Sequence, residues 1–129
     1  MKIPGPDHPI TVAAAPERER ARIHDHVVAD SGEAVVLQEA AYAPVVYFPR
    51  EDVDMGFFSK SPTTSVCPYK GIASYYTLTI DGEVIEDAAW SYETPYPHME
   101  AIRGRLAFYP NKVEVYAVDE AALKHHERG

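Results

Sequence analysis

The sequence predicts a mainly β domain, and three observations lead to that prediction. Eleven prolines and seven glycines are scattered between short apolar runs, which is typical of many short strands. The dipeptide Asp81-Gly82 separates two such runs and favours a two-residue hairpin, because both turn positions need positive φ. Thirteen of the fourteen aromatic residues lie between Tyr42 and Tyr109, so we expect the largest buried areas in the middle of the chain.

The first half of the chain predicts five short strands. Their apolar runs are separated by turn signals such as Ser31-Gly32, and Pro49 ends the fifth run. The alternation from Arg18 to Ile23 indicates a strand with one solvated face. The expected strands span residues 10–14, 18–23, 26–30, 34–39 and 44–48.

The second half predicts two hairpins and little helix. Strands 74–80 and 83–90 flank Asp81-Gly82, and strands 106–109 and 113–118 are joined by Pro110-Asn111-Lys112. We expect a turn or two of helix within 51–58, a short helix over 97–102 with proline first, and an acid-capped tail helix over 119–123. No linker divides the chain, so we expect one domain over 1–129 with loosely ordered ends at 1–8 and 120–129.

Composition narrows the classes of partner. The chain has 129 residues with an apolar share of 46%, which suits one compact core. Its 20 acids against 12 bases give a net charge of −8, which disfavours broad binding to nucleic acids or anionic membranes. No apolar stretch approaches the roughly 20 residues that cross a bilayer, and the first ten residues lack the layout of a secretion signal. We therefore expect a cytoplasmic protein with no nucleic-acid or membrane partner.

Four ordered motifs give the chain a family resemblance. They are YFPREDV at 47–53, CPYKGIASYY at 67–76, AWSYETPYP at 89–97 and IRGRLAFY at 102–109. From about residue 10 to 118 the chain resembles the domain of unknown function 427 family (DUF427), which is also labelled nucleotidyltransferase-like. The resemblance implies a β-tent or Mss4-like fold, in which two packed, mostly antiparallel sheets form a small domain.

Metal and cofactor sites have little support in the sequence. Some β-tent proteins hold zinc with cysteine pairs, which the single Cys67 cannot supply, so we expect no metal and no cofactor. Asp52 and Asp54 have the spacing of paired magnesium ligands, but no glycine-rich phosphate loop precedes them, and a nucleotidyltransferase is the remote alternative. His24 and His26 lie either side of a predicted turn and have no evident third ligand.

Cys67 is the candidate nucleophile or redox thiol. Lys70 lies three residues away in a turn made by proline and glycine, and a nearby cation stabilises a thiolate. His98 follows Pro97 in the first turn of a predicted helix, where the helix dipole keeps an imidazole neutral and able to accept a proton. The competing interpretation is an inert buried cysteine and an exposed loop histidine.

A set of cations and rings predicts a ligand pocket. Two cations and several phenols facing one cavity would suit a carboxylate or phosphate. On the strands, alternation places Trp90 and Tyr92 on one face and sends Tyr75 and Tyr76 to opposite faces. Alternatively, the rings form the core and the cations pair with surface acids. The expected ligand-binding residues are Tyr47, Arg50, Lys70, Tyr75, Trp90 and Tyr92.

The leading hypothesis is therefore a small β domain that binds a small polar or anionic ligand in an aromatic-lined pocket, with thiol chemistry at Cys67 as its enzymatic version. The alternative is a non-catalytic protein-interaction or assembly module that pairs sheet edges, for example in a homodimer. The P-loop, GxGxxG, GxSxG and HExxH motifs are absent from the sequence, so the common enzyme classes they mark have no support.

Overall fold

The computed structural model describes residues 1–120 and builds them from ten strands and three short 3₁₀ helices. The strands are β1 Ile10–Ala14, β2 Arg18–Ile23, β3 His26–Ser31, β4 Val35–Glu39, β5 Val45–Tyr47, β6 Phe58–Cys67, β7 Gly71–Ile80, β8 Glu83–Ser91, β9 Ala107–Phe108 and β10 Glu114–Val118. The 3₁₀ helices span Arg50–Asp52, Met55–Phe57 and Pro97–Ile102.

The strands form three sheets in which every pairing is antiparallel. Their orders are β1-β4-β5, β10-β2-β3 and β6-β7-β8-β9. The mainly β, mostly antiparallel fold class is confirmed. Where two sheets were expected, the structure has three, because β10 joins β2 and β3 in a sheet separate from β1, β4 and β5.

The central four-stranded sheet carries a hydrophobic core on each face. Tyr76 and Leu78 of β7 belong to the first core, with Ala21 of β2 and Val28 of β3. The second core lies on the other face and is formed by Leu37, Tyr47, Ala73, Tyr92, Met99, Ile102 and Ala107. Because successive residues of a strand point to opposite faces, one strand supplies both cores.

The hairpin at Asp81-Gly82 forms as predicted. Ile80 pairs with Glu83 across a two-residue loop, and the loop residues have φ of 52° and 75°. Positive φ at both positions is the geometry of a type I′ turn, whose twist matches that of the flanking strands. Local turn chemistry was therefore sufficient to locate this element.

Strand β6 was not predicted from the sequence. It is rich in serine and threonine and contains Pro62, which reads as a turn signal. The strand lies at the edge of its sheet, and its register with β7 shifts between Lys60 and Thr64, so Pro62 sits at the irregularity. Proline is tolerated at such a place because it need not donate to the ladder.

The prediction of a second hairpin, from strands 106–109 and 113–118, is wrong. The turn itself is present, since the amides of Lys112 and Val113 donate to the carbonyl of Tyr109 at 2.9 Å each. The two strands that flank it do not pair with each other, however. Strand β9 pairs with β8, and β10 pairs with β2. The turn therefore passes the chain from the central sheet to the β10-β2-β3 sheet.

The predicted helices appear as 3₁₀ turns. Two of them lie within or beside residues 51–58, and the third runs from Pro97 to Ile102 as expected. The tail helix expected at 119–123 lies mostly outside the described residues. Among residues 1–120, no helix has the length and hydrophobicity needed to cross a membrane.

The N-terminal segment, expected to be loosely ordered, makes defined contacts. The amide of Lys2 donates to the carbonyl of Pro68 at 2.6 Å, and the ring of His8 stacks on that of Tyr69 with centroids 4.2 Å apart. These contacts bring the N-terminal segment against the turn before β7.

Candidate functional site

Arg50 and Lys70, expected in one cavity, lie in different parts of the molecule. The guanidinium of Arg50 contacts the hydroxyl and ring of Tyr76, which belongs to the first core. The ammonium of Lys70 lies 5.9 Å from the ring centre of Tyr92, which belongs to the second core. The central sheet separates the two cores, so the expectation of one shared cavity is corrected.

Lys70 is buried in an ion pair. Its ammonium donates to Glu39 Oε1, and the other oxygen of that carboxylate lies 2.7 Å from His8 Nε2. Lys70 is only 8% exposed. Burial raises the pKa of Glu39, but hydrogen bonds and charges from Lys70 and His8 outweigh it, and the net shift is downward. The charge of Lys70 is therefore balanced within the protein.

Cys67 lies at the end of β6, partly buried against the second core. The predicted helper His98 donates from Nε2 to the carbonyl of Tyr69 at 2.8 Å, because a carbonyl can only accept. Within residues 1–120, no hydrogen bond joins the sulfur to Lys70 or His98. The structure thus places the three residues in one region without joining them into a hydrogen-bonded constellation.

Most of the predicted ligand-binding rings pack against each other. Trp90 Nε1 donates to the hydroxyl of Tyr47 at 3.2 Å, and Trp90 also lies 4.6 Å from the ring of Tyr109. Tyr75 stacks on Tyr109 with an interplanar angle of 8°. Burial is the main cause that raises the pKa values of Tyr47 and Tyr92. Tyr47 and Tyr92 are therefore core residues, and Trp90 and Tyr75 are only partly covered.

Arg50 lines an open groove of about 450 Å³ on the other side of the sheet. Its guanidinium donates to three acceptors: the Gly104 carbonyl at 3.1 Å, the Tyr76 hydroxyl at 3.2 Å and the Ser91 hydroxyl at 3.4 Å. The three acceptors lie in separate parts of the chain, and together they hold the guanidinium in one orientation. The groove is also lined by Pro49, Glu51, Glu93, Arg103, Gly104 and Arg105.

The carboxylate of Glu93 is neutralised beside this groove. One oxygen lies 2.7 Å from the ammonium of Lys60, and the other lies 3.6 Å from Arg50 Nη2 and accepts from the Tyr76 hydroxyl at 3.2 Å. The hydrogen bond from Lys60 lowers the pKa of Glu93 more than burial raises it. The carboxylate therefore stays ionised, and its negative charge is balanced by Lys60 and Arg50.

Arg103 and Arg105 are functional candidates that the sequence reasoning missed. Arg105 donates to the Glu33 carbonyl at 2.9 Å, and Arg103 lies 3.4 Å from the carboxylate of Glu100. Between them Gly104 has a φ of 68°, a conformation that glycine adopts easily. A pair of arginines flanking a glycine was the available signal, within the IRGRLAFY motif.

The candidate metal residues make other contacts. The Ser31 hydroxyl donates to the carboxylate of Asp52 at 2.6 Å. Asp52 is one of the two residues, with Asp54, that have the spacing of paired magnesium ligands. His24 lies 2.7 Å from Glu83, and His26 lies 3.1 Å from Asp81. The two histidines thus join two hairpin tips. Within residues 1–120 no group of three or more His, Cys, Asp or Glu side chains is arranged to hold a metal ion.

Comparison with known proteins identifies a family that the chain matches. The family model described as "Domain of unknown function (DUF427)" matches residues 11–119, and its short name carries the nucleotidyltransferase label. No curated protein matches the chain.

Proposed function

The chain belongs to the DUF427 family, which is described as a domain of unknown function, and we propose that it binds a small anionic ligand, a carboxylate or phosphate, in the Arg50 groove. The observation that carries the proposal is that three arginines, Arg50, Arg103 and Arg105, line one open groove of a chain whose net charge is −8. A guanidinium group can donate two parallel hydrogen bonds to two oxygens of a carboxylate or a phosphate.

The groove is organised before any ligand arrives. Arg50 is held by Tyr76, Ser91 and Gly104, so little side-chain freedom is lost when it contacts an anion. Arg103 is about half exposed, with a side-chain fraction of 54%, and is free to turn toward a ligand from its weak contact with Glu100. One fixed and one mobile cation suit a small ligand that enters from solvent.

A titration with anions tests this function. We expect inorganic phosphate, and separately malonate, to give saturable amide shifts at Gly104 and a raised melting temperature, with chloride at equal ionic strength as the reference. The double variant Arg103→Gln/Arg105→Gln should weaken binding by about tenfold or more.

The matched control is Arg22→Gln, which removes an exposed arginine of β2 that pairs with Glu114 at 3.3 Å. It should bind the anions as the wild type does. Shifts that fail to saturate, or that are the same in all three proteins, would refute an anion site in the groove.

Thiol chemistry at Cys67, assisted by Lys70 and His98, stays a prediction. It is supported by the position of all three near the turn before β7. Alkylation of Cys67 by a neutral reagent across pH tests it. Reactivity that rises only near the pKa of an ordinary thiol, about 8.5, would refute the prediction of an activated thiol at Cys67.

Self-assembly is the second candidate function, and one observation favours it. Strand β6 is an edge strand of the described sheet, and its Val66 is 73% exposed beside its exposed register partner Ile72. Exposed apolar pairs on a sheet edge are typical of interfaces. Light scattering should then show a dimer that Val66→Lys dissociates, whereas a wild-type monomer at every concentration would exclude it.

A further inference from the structure

A second cleft, of about 430 Å³, lies beside β10 and is separate from the Arg50 groove. Its walls are mainly apolar and include Val46, Trp90, Phe108 and Val115. Val46 and Val115 pack against the first core, to which Phe108 belongs. One acidic residue, Glu19, also lines this cleft.

The strand register turns Glu19 inward. Across the β2-β10 pairing, Glu19 lies opposite Ala117, and Ala21 lies opposite Val115. Residues two apart on a strand share a face, so Glu19 lies on the same face as Ala21, which is fully buried in the first core. The carboxylate is thus on the covered side of the sheet, and Glu19 is only 7% exposed.

The carboxylate of Glu19 has no hydrogen bond or ion pair with any other residue among 1–120. Its sequence neighbours Arg18 and Arg20 point to the other face and bind Asp30 at 2.6 and 3.3 Å. Its register partner Ser31 donates its hydroxyl hydrogen to a different carboxylate. A buried, unpaired carboxylate is unfavourable by itself, and such groups mark functional sites.

We propose that this cleft binds an organic cation, an alkylammonium whose charged group pairs with Glu19 and whose hydrocarbon body packs against Val46, Phe108 and Val115. An apolar cavity with one convergent polar group is the usual form of a small-molecule site, and here the polar group sets the charge of the ligand. The proposal does not depend on the anion site, because the two grooves share no residue.

The only tryptophan of the chain lines the cleft, so its fluorescence reports on occupancy. We expect hexylammonium to change Trp90 emission in a saturable way, while hexanoate, with the opposite charge, and ethylammonium, with a short body, bind at least about tenfold more weakly. Glu19→Gln should weaken hexylammonium binding by a similar factor. Hexanol has the same hydrocarbon body without the charge. It should bind more weakly than hexylammonium if the charge of Glu19 directs binding, and equally well if the site is purely apolar.

The matched control is Glu17→Gln, which removes the same charge from an exposed position two residues away. It should bind hexylammonium nearly as the wild type does. A second variant, Ala43→Leu, fills the cleft from an exposed lining position and should weaken binding with Glu19 intact. Equal affinity for hexanol, unchanged binding in Glu19→Gln, or no saturable signal in the wild type would each overturn the proposal.

Discussion

Tyr75 and Tyr76 are adjacent in the chain, yet their rings lie in different cores of the protein. The hydroxyl of Tyr76 accepts a hydrogen bond from Arg50, whereas Tyr75 stacks on Tyr109 on the opposite face of the central sheet. This division separates the Arg50 groove from the buried ion pair of Lys70. The residues predicted to line one pocket therefore lie in two distinct regions.

Removal of one partner from the buried ion pair should destabilise the fold. Lys70→Met leaves the carboxylate of Glu39 largely covered with only His8 beside it, and we expect the free energy of unfolding to fall by about 3 kcal/mol. Urea denaturation measures the change. The double variant Lys70→Met/Glu39→Gln should recover much of the loss, because it leaves no unpaired charge. A loss as large in the double variant would contradict this account.

Acid should weaken the fold through Glu39. Its pKa in the folded state is below its ordinary value of 4.5, so the folded state binds fewer protons than the unfolded chain at that pH. The stabilisation is therefore present above pH 4.5 and is lost as pH falls through the folded-state pKa. Unfolding free energies measured across this range should drop less steeply in Glu39→Gln than in the wild type. Identical slopes would exclude a contribution from Glu39.

Glu19 should have the opposite pH dependence. Burial, and then the charge of Glu17, raises its pKa above 4.5, so its ionisation opposes folding as pH rises through the folded-state value. Glu19→Gln should stabilise the protein by about 1 kcal/mol at pH 7, or about 3 °C in melting temperature, with little gain below about pH 4. Calorimetry at both pH values measures it, with Glu17→Gln as the control. A destabilised Glu19→Gln protein at pH 7 would show that the carboxylate is paired.

The hairpin turn offers a test of backbone conformation alone. Gly82 has a φ of 75°, and a Cβ added there meets no atom within 4 Å, so any loss in Gly82→Ala comes from the backbone. We expect a loss of about 1 kcal/mol in the free energy of unfolding. Gly5→Ala is the matched control, since its Cβ also has open space and its φ is not in the positive region. Equal stability of the two variants would contradict the assigned turn.

Much of the strand pattern could be predicted from the sequence because its signals are local. Turn residues and alternation were enough for β1 and β2, whose bounds match the prediction, and for the hairpin at Asp81-Gly82. The polar edge strand β6 was not recognisable, because its pairing with β7 is tertiary and its Pro62 resembles a turn. The partner of β10 was equally hidden, since a turn does not say whether its two strands stay together.

The sequence by itself determined the mainly β class, the position of the main hairpin and the alternation that puts Glu19 on the same strand face as Ala21. Only the tertiary structure decided that this face is covered, that Arg50 lines one groove with Arg103 and Arg105, and that Lys70 is paired with Glu39. The physical reason is that alternation assigns a side chain to one of two faces from local geometry, whereas what covers each face depends on sheets formed by distant segments.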